Sequence, residues 1–470
     1  MIAPKPKPRA DKVPFWRHLL AFRADILSAQ PAKLYRAWMA EMRTPFFRSF
    51  LCNDPTLIDE VLCRRPADFP KSDRVRAGLA PLLGRSVFVT NGAEWARQRR
   101  IIDPAFGAGG LQGALGAMVA AGQGACASLA ERLDAPLDIE EATSHLAADV
   151  IFRTLFSVPI GDETAARVFH AFRAHQRGQP LLNLGAFFRL PAWMPRFHRG
   201  ATRRTARTIR TLIKAMVDRR AAEIAAGTAP HDLATKIMTT TDPVTGRGFT
   251  PAEMVDQIAI FFLAGHETSA SALAWALYLL AADPVAQDRA AGEAARLPED
   301  PTISDISGLA FVRDVFRETL RLYPPVPMMV RESRCPVRFR GREVRRGDQV
   351  VLSPWHLHRH ERLWDRPDDF DPGRWQTEAA RQSARAAYLP FSAGPRVCIG
   401  AGFAMIEGPL LLAMLLRRFR FVPADPLPPV PVAFLTVRAR DGIRLRLAPR
   451  AQHSPLSGPA TDDMTRAVGD

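Results

Sequence analysis

The residues best suited to chemistry lie in one stretch, Phe391-Ser-Ala-Gly394-Pro-Arg396-Val-Cys398-Ile-Gly400. Two glycines and a proline predict an irregular loop ending in a thiol. An apolar helix follows, from about Gly402 to Arg417. A thiol at a helix N-terminus, beside Arg396, has its thiolate favoured by the helix dipole and the cation. Backbone N–H groups of the first turn can hydrogen-bond the sulfur. Gly394 and Gly400 remove side chains where a flat cofactor must approach. The bland alternative is a buried structural cysteine.

A second constellation is Ala264-Gly265-His266-Glu267-Thr268, midway along a long apolar pattern. Gly265 would let a planar ring approach the backbone. A mid-helix threonine can bond back to the carbonyl four residues earlier. An acid beside a hydroxyl can deliver protons. His266-Glu267 opens a zinc-protease-like pattern, but Ala270 stands where its second histidine belongs, and that motif fails. A third pair, Glu318 and Arg321, shares one helix face at i and i+3, which alone fits a surface ion pair.

Stepping from these residues to the elements that carry them, Thr250-Pro251-Ala252-Glu253 is a capping box with proline at the first helical position. The helix it opens runs unbroken from Met254 to Ala282 and is apolar nearly all round. His266 and Glu267 at its middle make a membrane span costly, so a buried core helix is expected. A helix from Leu309 to Leu322 carries Glu318 and Arg321. Asp54-Pro55 opens a short helix, 139–156 has helical spacing, and 201–227 is a basic helix. Strand patterns come late: Val337–Gly341, Arg342–Val344 and Gln349–Leu352, with a further hairpin over about 430–447. The chain is therefore mainly α with a small β region.

These motifs, in order, resemble the cytochrome P-450 family. The cysteine decapeptide matches F-x-x-G-x-R-x-C-x-G at every position. Ala264 to Thr268 resembles A/G-G-x-D/E-T, and Glu318-Thr-Leu-Arg321 resembles E-x-x-R. Phe370-Asp-Pro372-Gly-Arg374-Trp375 is similar to F-x-P-x-R-F/W, with Gly373 where glutamate is frequent. Trp95-Ala-Arg-Gln-Arg99 resembles W-x-x-x-R. The resemblance implies one haem-thiolate monooxygenase domain over 15–449, with a long central helix over haem b. It implies Cys398 as the axial ligand, with Phe391, Gly394, Arg396, Gly400, Ala264 and Gly265 around the haem. Trp95, Arg99, Arg331, His358 and Arg396 become candidate propionate anchors. Glu267 and Thr268 become the proton relay to dioxygen, and Glu318, Arg321 and Arg374 a buried structural network. The resemblance also implies a substrate pocket from the 72–91 loop, 263–268, 326–329 and 432–435. Val87, Phe88, Phe262, Met328 and Phe434 make that lining apolar.

Composition bounds the rest. A formal net charge of +16 favours an acidic partner or a surface of dispersed arginines; no nucleic-acid motif appears. The five cysteines, Cys52, Cys63, Cys126, Cys335 and Cys398, are irregularly spaced, which fits a reducing cytoplasm and no disulfide framework. Residues 1–14 and 450–470 read as flexible tails, with no export signal or transmembrane anchor. Peripheral membrane contact through Phe15-Trp16 stays open. The expected partners are a lipophilic small molecule, O2, and a separate ferredoxin or flavodoxin with its reductase, docking near Arg97, Arg99, Arg100 and Arg396. A monomer is expected. The rival readings are a peroxide-driven peroxygenase, a non-catalytic haem sensor and a membrane-bound relative.

Overall fold

The computed structural model describes residues 1–11, 13–43, 48–133, 135–178, 200–433 and 435–450. The longer helices are α1 (Phe15–Ala24), α2 (Asp73–Leu83), α3 (Gly92–Ile102), α4 (Ala108–Ala130), α5 (Ile139–Phe156), α6 (Glu163–Gly178), α7 (Gly200–Ala225), α8 (Pro251–Ala282), α9 (Pro284–Ala294), α10 (Ala310–Leu322), α11 (Glu378–Ala387) and α12 (Ala401–Arg418). The strands are β1 (Met39–Arg43), β2 (Arg48–Cys52), β3 (Leu137–Asp138), β4 (Met329–Glu332), β5 (Val337–Phe339), β6 (Arg342–Val344), β7 (Gln349–Leu352), β8 (Phe419–Pro423), β9 (Pro431–Ala433), β10 (Val437–Ala439) and β11 (Arg444–Pro449).

Helix α8 organises the molecule. The capping box is formed: Thr250 Oγ1 accepts the Glu253 N–H at 3.3 Å, and Glu253 Oε2 accepts the Thr250 N–H at 2.9 Å. Leu273, Ala274, Trp275, Leu277 and Leu280 are fully buried, so α8 is a core helix as its composition requires. Trp275 stacks on Tyr323, just past α10, with ring centroids 3.9 Å apart. Among the described residues one helix, α4, is long and apolar enough to cross a membrane by length and composition. It packs against α5 and α12 inside the core.

The strands depart from expectation. Strands β5 and β6 form the expected hairpin, but β7 leaves it for a four-stranded sheet ordered β1-β2-β7-β4. There β7 runs parallel to β2 and antiparallel to β4. Strands β1 and β2 fall in a half expected to be helical; both are five residues long with arginines at their ends, too short to show alternation. The 430–447 region is not one hairpin. Strands β9 and β10 pair with each other, whereas β11 pairs with β8 and β3. The 72–91 segment, read as a loop, contains α2, whose N-cap Ser72 accepts the Arg74 N–H.

The Pro- and Lys-rich start, expected to be a loose tail, is tied down instead. The Ala3 N–H donates to Asp368 O at 2.8 Å, the Phe370 N–H to Met1 O at 2.8 Å, and Tyr323 Oη to Pro4 O at 2.8 Å. Lys5 pairs with Asp368, and Ala3 is buried. Proline's missing N–H costs nothing where neighbouring carbonyls take the bonds. The expected C-terminal tail lies, apart from Arg450, outside the described residues.

Candidate functional site

The cysteine loop hangs between a π-helical turn and α12. Gly394 sits at φ +68°, and a Cβ there would lie 2.0 Å from Leu62 O, so only glycine lets the loop press on residues 60–64. The Cys398 N–H donates to Phe391 O at 2.9 Å, which closes the loop. Gly400 caps α12, and a Cβ there would meet nothing within 4 Å. Cys398 Sγ borders a cavity of about 1460 Å³. Burial pushes its thiol up, while the Gly400 N–H, Arg99 and Lys71 pull it down. The expected favouring of thiolate by Arg396 is therefore corrected. Arg396 turns away, to Thr90 O at 3.1 Å and Asn91 Oδ1 at 2.8 Å, and stacks 4.3 Å from the Trp95 ring centroid.

Above the loop, α8 presents Ala264, Gly265, Glu267, Thr268 and Ser269 to the same cavity. Thr268 Oγ1 donates back to Ala264 O, as its mid-helix position suggested. Gly265 borders the cavity and has a second reason besides the one expected. A Cβ there would lie 2.2 Å from Ile151 Cδ1 on α5, so the glycine permits close helix packing. Glu267 is buried, and burial pushes its carboxyl up while Arg438 on β10 pulls it down. Arg438 donates to Glu267 Oε1 and to Gln176 Oε1 on α6, leaving Glu267 Oε2 without a hydrogen-bond partner among the described residues. His266 takes no part in the cavity. Its Nε2 lies 2.7 Å from Ser144 Oγ, and its ring packs against Phe169 and Phe262.

The candidate anchors divide. Arg331 and Arg396 border the cavity, as do Trp95 and Arg99. Arg99 is already paired with Asp103 at 2.7 Å and donates to Val397 O at 2.9 Å. Arg331 and Arg396 pair with no carboxylate among the described residues, and burial lowers each to about 10. Sequence reasoning missed Lys71, which joins them. It bridges to Arg331 through the backbone, and its Nζ sits 3.6 Å from the Phe88 ring centroid. Burial, Arg331 and Arg396 push its ammonium well below the usual lysine range. A lone lysine before Ser72 carries no motif, so only the fold reveals it.

His358 is not on the cavity. It is fully buried behind the cysteine loop, with Nδ1 donating to Arg321 O at 3.2 Å and Nε2 accepting the Leu389 N–H at 2.7 Å. Both ring nitrogens are spent on backbone, so it cannot anchor a propionate. Phe262 also leaves the expected lining: it packs on Phe172 and Phe152, between α5 and α6. Val87, Phe88 and Met328 do line the cavity, and Phe434 lies outside the described residues.

The predicted network forms. Arg321 donates to Glu318 Oε2 at 2.9 Å and Oε1 at 2.8 Å, and to the carbonyls of His358, Pro367 and Asp369. Arg374 donates to Glu318 Oε1 at 2.8 Å. The expected basic docking face is a different matter. Arg97 pairs with Glu253, Arg100 with Asp242 and Arg99 with Asp103, while Arg396 faces inward. These four arginines do not form a bare cationic patch.

This arrangement fits a haem. One accessible thiol at the mouth of a helix lies with three cations that have no carboxylate partner among the described residues, around a largely apolar cavity that an open glycine borders. Such cations suit the two carboxylates of a porphyrin. Comparison with known proteins agrees. The family profile described as Cytochrome P450 matches residues 12–443. Cyclooctat-9-en-7-ol 5-monooxygenase of Streptomyces melanosporofaciens is 33% identical over 87% of this chain and 86% of its own length. Cytochrome P450 4A11 of Homo sapiens is 30% identical over 84% of this chain and 78% of its own. The crystal structure of the cytochrome P450DA heme domain superposes with a TM-score of 0.79 at 25% identity, covering 96% of this chain and 99% of that one. A cysteine loop, a Glu-Arg-Arg network and a cavity-lining acid–threonine pair, carried on a scaffold that such relatives match almost end to end, place this chain in the cytochrome P450 family of haem-thiolate monooxygenases.

Proposed function

We propose that the protein inserts one atom of O2 into a lipophilic small molecule, using haem b held by Cys398 and two electrons from a separate ferredoxin or flavodoxin. The observation that carries this reading is that Cys398 and Thr268 border one cavity whose remaining lining is mostly apolar. When bound, haem supplies the activation of dioxygen for oxidation of an unactivated C–H bond. Lys71, Arg331 and Arg396 would hold its carboxylates. Val87, Leu263, Val326 and Met328 bind the substrate and exclude water. Thr268 presents a hydroxyl to the cavity, and Glu267, paired with Arg438, stands next to it in the chain as the acid that passes protons on. An acidic donor is supported by the net charge of +16. A cytoplasmic setting is favoured by the free, buried thiols of Cys52 and Cys126.

The testing experiment is the absorption spectrum of the reduced protein with carbon monoxide, for wild type and Cys398→Ala. A strongly red-shifted Soret band, lost in the variant, is expected. An unshifted band that persists in the variant sinks the proposal. Substrate screening by spin-state shift would begin with cyclic alcohols such as the compound in the name of the 33%-identical relative. Turnover with peroxide alone, at the rate seen with O2 and donor, would move the reading to a peroxygenase.

A further inference from the structure

Arg438 borders the cavity beside the acid–threonine pair, and its contacts with protein use only one edge of the guanidinium. Both N–H groups of Nη2 are taken, by Glu267 Oε1 and by Gln176 Oε1. The N–H groups on Nε and Nη1 have no hydrogen-bond partner among the described residues, and they are not among the sealed polar atoms. The side chain is 38% exposed, while Glu267 opposite it is buried. The pair with Glu267 fixes the guanidinium plane, so these open donors are held in place. Leu435, on the same hairpin, is 42% exposed and borders the same cavity. An apolar wall and a fixed set of donors thus stand side by side.

A planar fork of this kind would suit a carboxylate. The surroundings argue against one. Glu140 on α5 and Asp138 on β3 also border the cavity, and Glu140 Oε1 accepts the Ala439 N–H at 2.9 Å, one residue past Arg438. Burial pushes the Glu140 carboxyl up to about 7, Asp138 adds to the rise, and Arg438 opposes it. Arg440 and Asp441 follow, both exposed and of opposite sign. An added anion would crowd against Glu267, Glu140 and Asp138 around a guanidinium already shared. A neutral oxygen meets the donors without that repulsion. A pure hydrocarbon would strip water from them and leave them unmet, which disfavours it.

We propose that Arg438 is a specificity-determining residue of the substrate site: its Nε and Nη1 donors take a neutral oxygen, hydroxyl or carbonyl, carried on an otherwise apolar substrate. The inference rests on the reading that this cavity receives a lipophilic substrate, and it adds the polar function such a molecule carries.

The test uses haem-loaded wild type, Arg438→Met and Arg438→Lys with cyclodecane, cyclodecanol, cyclodecanone and cyclodecanecarboxylate. Dissociation constants are read from the haem spin-state shift and checked by calorimetry. Wild type is expected to bind the alcohol and the ketone more tightly than the carboxylate. In Arg438→Met the Kd of the alcohol relative to that of the hydrocarbon should rise about tenfold, the loss of one hydrogen bond from a charged donor, while the hydrocarbon's own Kd moves by less than about twofold. Arg438→Lys keeps a charge opposite Glu267 but loses the planar fork, and its ratio should rise as well. A merely structural ion pair would weaken all four ligands alike and leave the ratio where it was. The proposal is overturned by an unchanged ratio, by a carboxylate that binds wild type most tightly, or by a wild type that takes up none of the four. If Arg438→Met takes up no haem, Arg438→Lys decides alone. Wild type lacking the red-shifted carbon monoxide band would instead defeat the function proposed above, while calorimetry with the same ligands would still report on Arg438.

Discussion

Arg438 on β10 pins Glu267 on α8, and the same guanidinium reaches Gln176 on α6. One side chain of a short hairpin thus ties two core helices across the rim of the cavity. Leu435 and Thr436, from the same hairpin, line that cavity, so a substrate pressing on them also presses on the ion pair. Replacing Arg438 with Met leaves Glu267 buried and unpaired, and its carboxyl rises further. Arg438 is 38% exposed, so the loss is discounted for solvent to about 1–2 kcal/mol. Urea unfolding of Arg438→Met, Glu267→Gln and the double variant should show coupling, the second change costing less once the first is made. Additive losses would mean that the contact contributes nothing to stability.

Arg321 sits at the centre of the buried network in a way that a lysine cannot copy. Its guanidinium spans both oxygens of Glu318 and three backbone carbonyls. Lysine has three donors on one point and no planar fork. Arg321→Lys should therefore cost nearly as much as Arg321→Ala, about 3–5 kcal/mol. Equilibrium unfolding measures this directly, and an Arg321→Lys protein within about 1 kcal/mol of wild type would show that charge alone suffices.

The parts legible in the sequence were those with short-range rules. The capping box at Thr250, the glycine loop before Cys398 and the i,i+3 pair of Glu318 and Arg321 each carry their geometry within ten residues. What stayed hidden depends on the fold bringing distant segments together. Lys71 becomes part of the site only because β4 places Arg331 beside it. Glu407 looks like an ordinary helix acid until α8 sets Ser269 against it. The packing of Gly265 on Ile151 stayed hidden because that neighbour, over a hundred residues earlier, is invisible to local pattern. His358 was misassigned because its two backbone partners, Arg321 O and the Leu389 N–H, come from separate elements.

Lys71, Arg331 and Arg396 crowd like charges around one cavity, and each is held below its ordinary range by burial. Without a bound anion this cluster works against the fold. Lys71→Met should therefore raise the melting temperature of the haem-free protein. The same change should speed haem loss to a scavenging apomyoglobin by about tenfold, because a charge-assisted bond of roughly 1.5 kcal/mol is lost. The two effects have opposite signs in one variant. A fall in both stability and haem retention would show that Lys71 serves packing and not anion binding.

The pH dependence of stability should be set by buried imidazoles against buried acids. His266, His356 and His358 are each lowered to about 3, mainly by burial. Between about 3 and the ordinary value of 6.5 the folded protein binds fewer protons at these sites than the unfolded chain. Stability is therefore lost as pH falls below 6.5, by roughly 2 kcal/mol per histidine at about pH 5. Glu140 and Glu407, raised to about 7, act in the other direction. At those two the folded protein binds more protons, so stability is lost as pH rises from about 4.5 to about 7. With His175, lowered to about 4, the histidines outnumber the two acids and leave a net rise toward neutrality. In His358→Asn the position cannot charge, so urea unfolding from pH 5 to 6.5 should lose about one proton of slope. The variant leaves the cavity lining untouched, since the His358 ring nitrogens bond Arg321 O and the Leu389 N–H and the ring packs on Tyr388. An unchanged slope would mean that His358 stays neutral in the unfolded chain as well, or charges in the folded one, and would remove it from the acid limb.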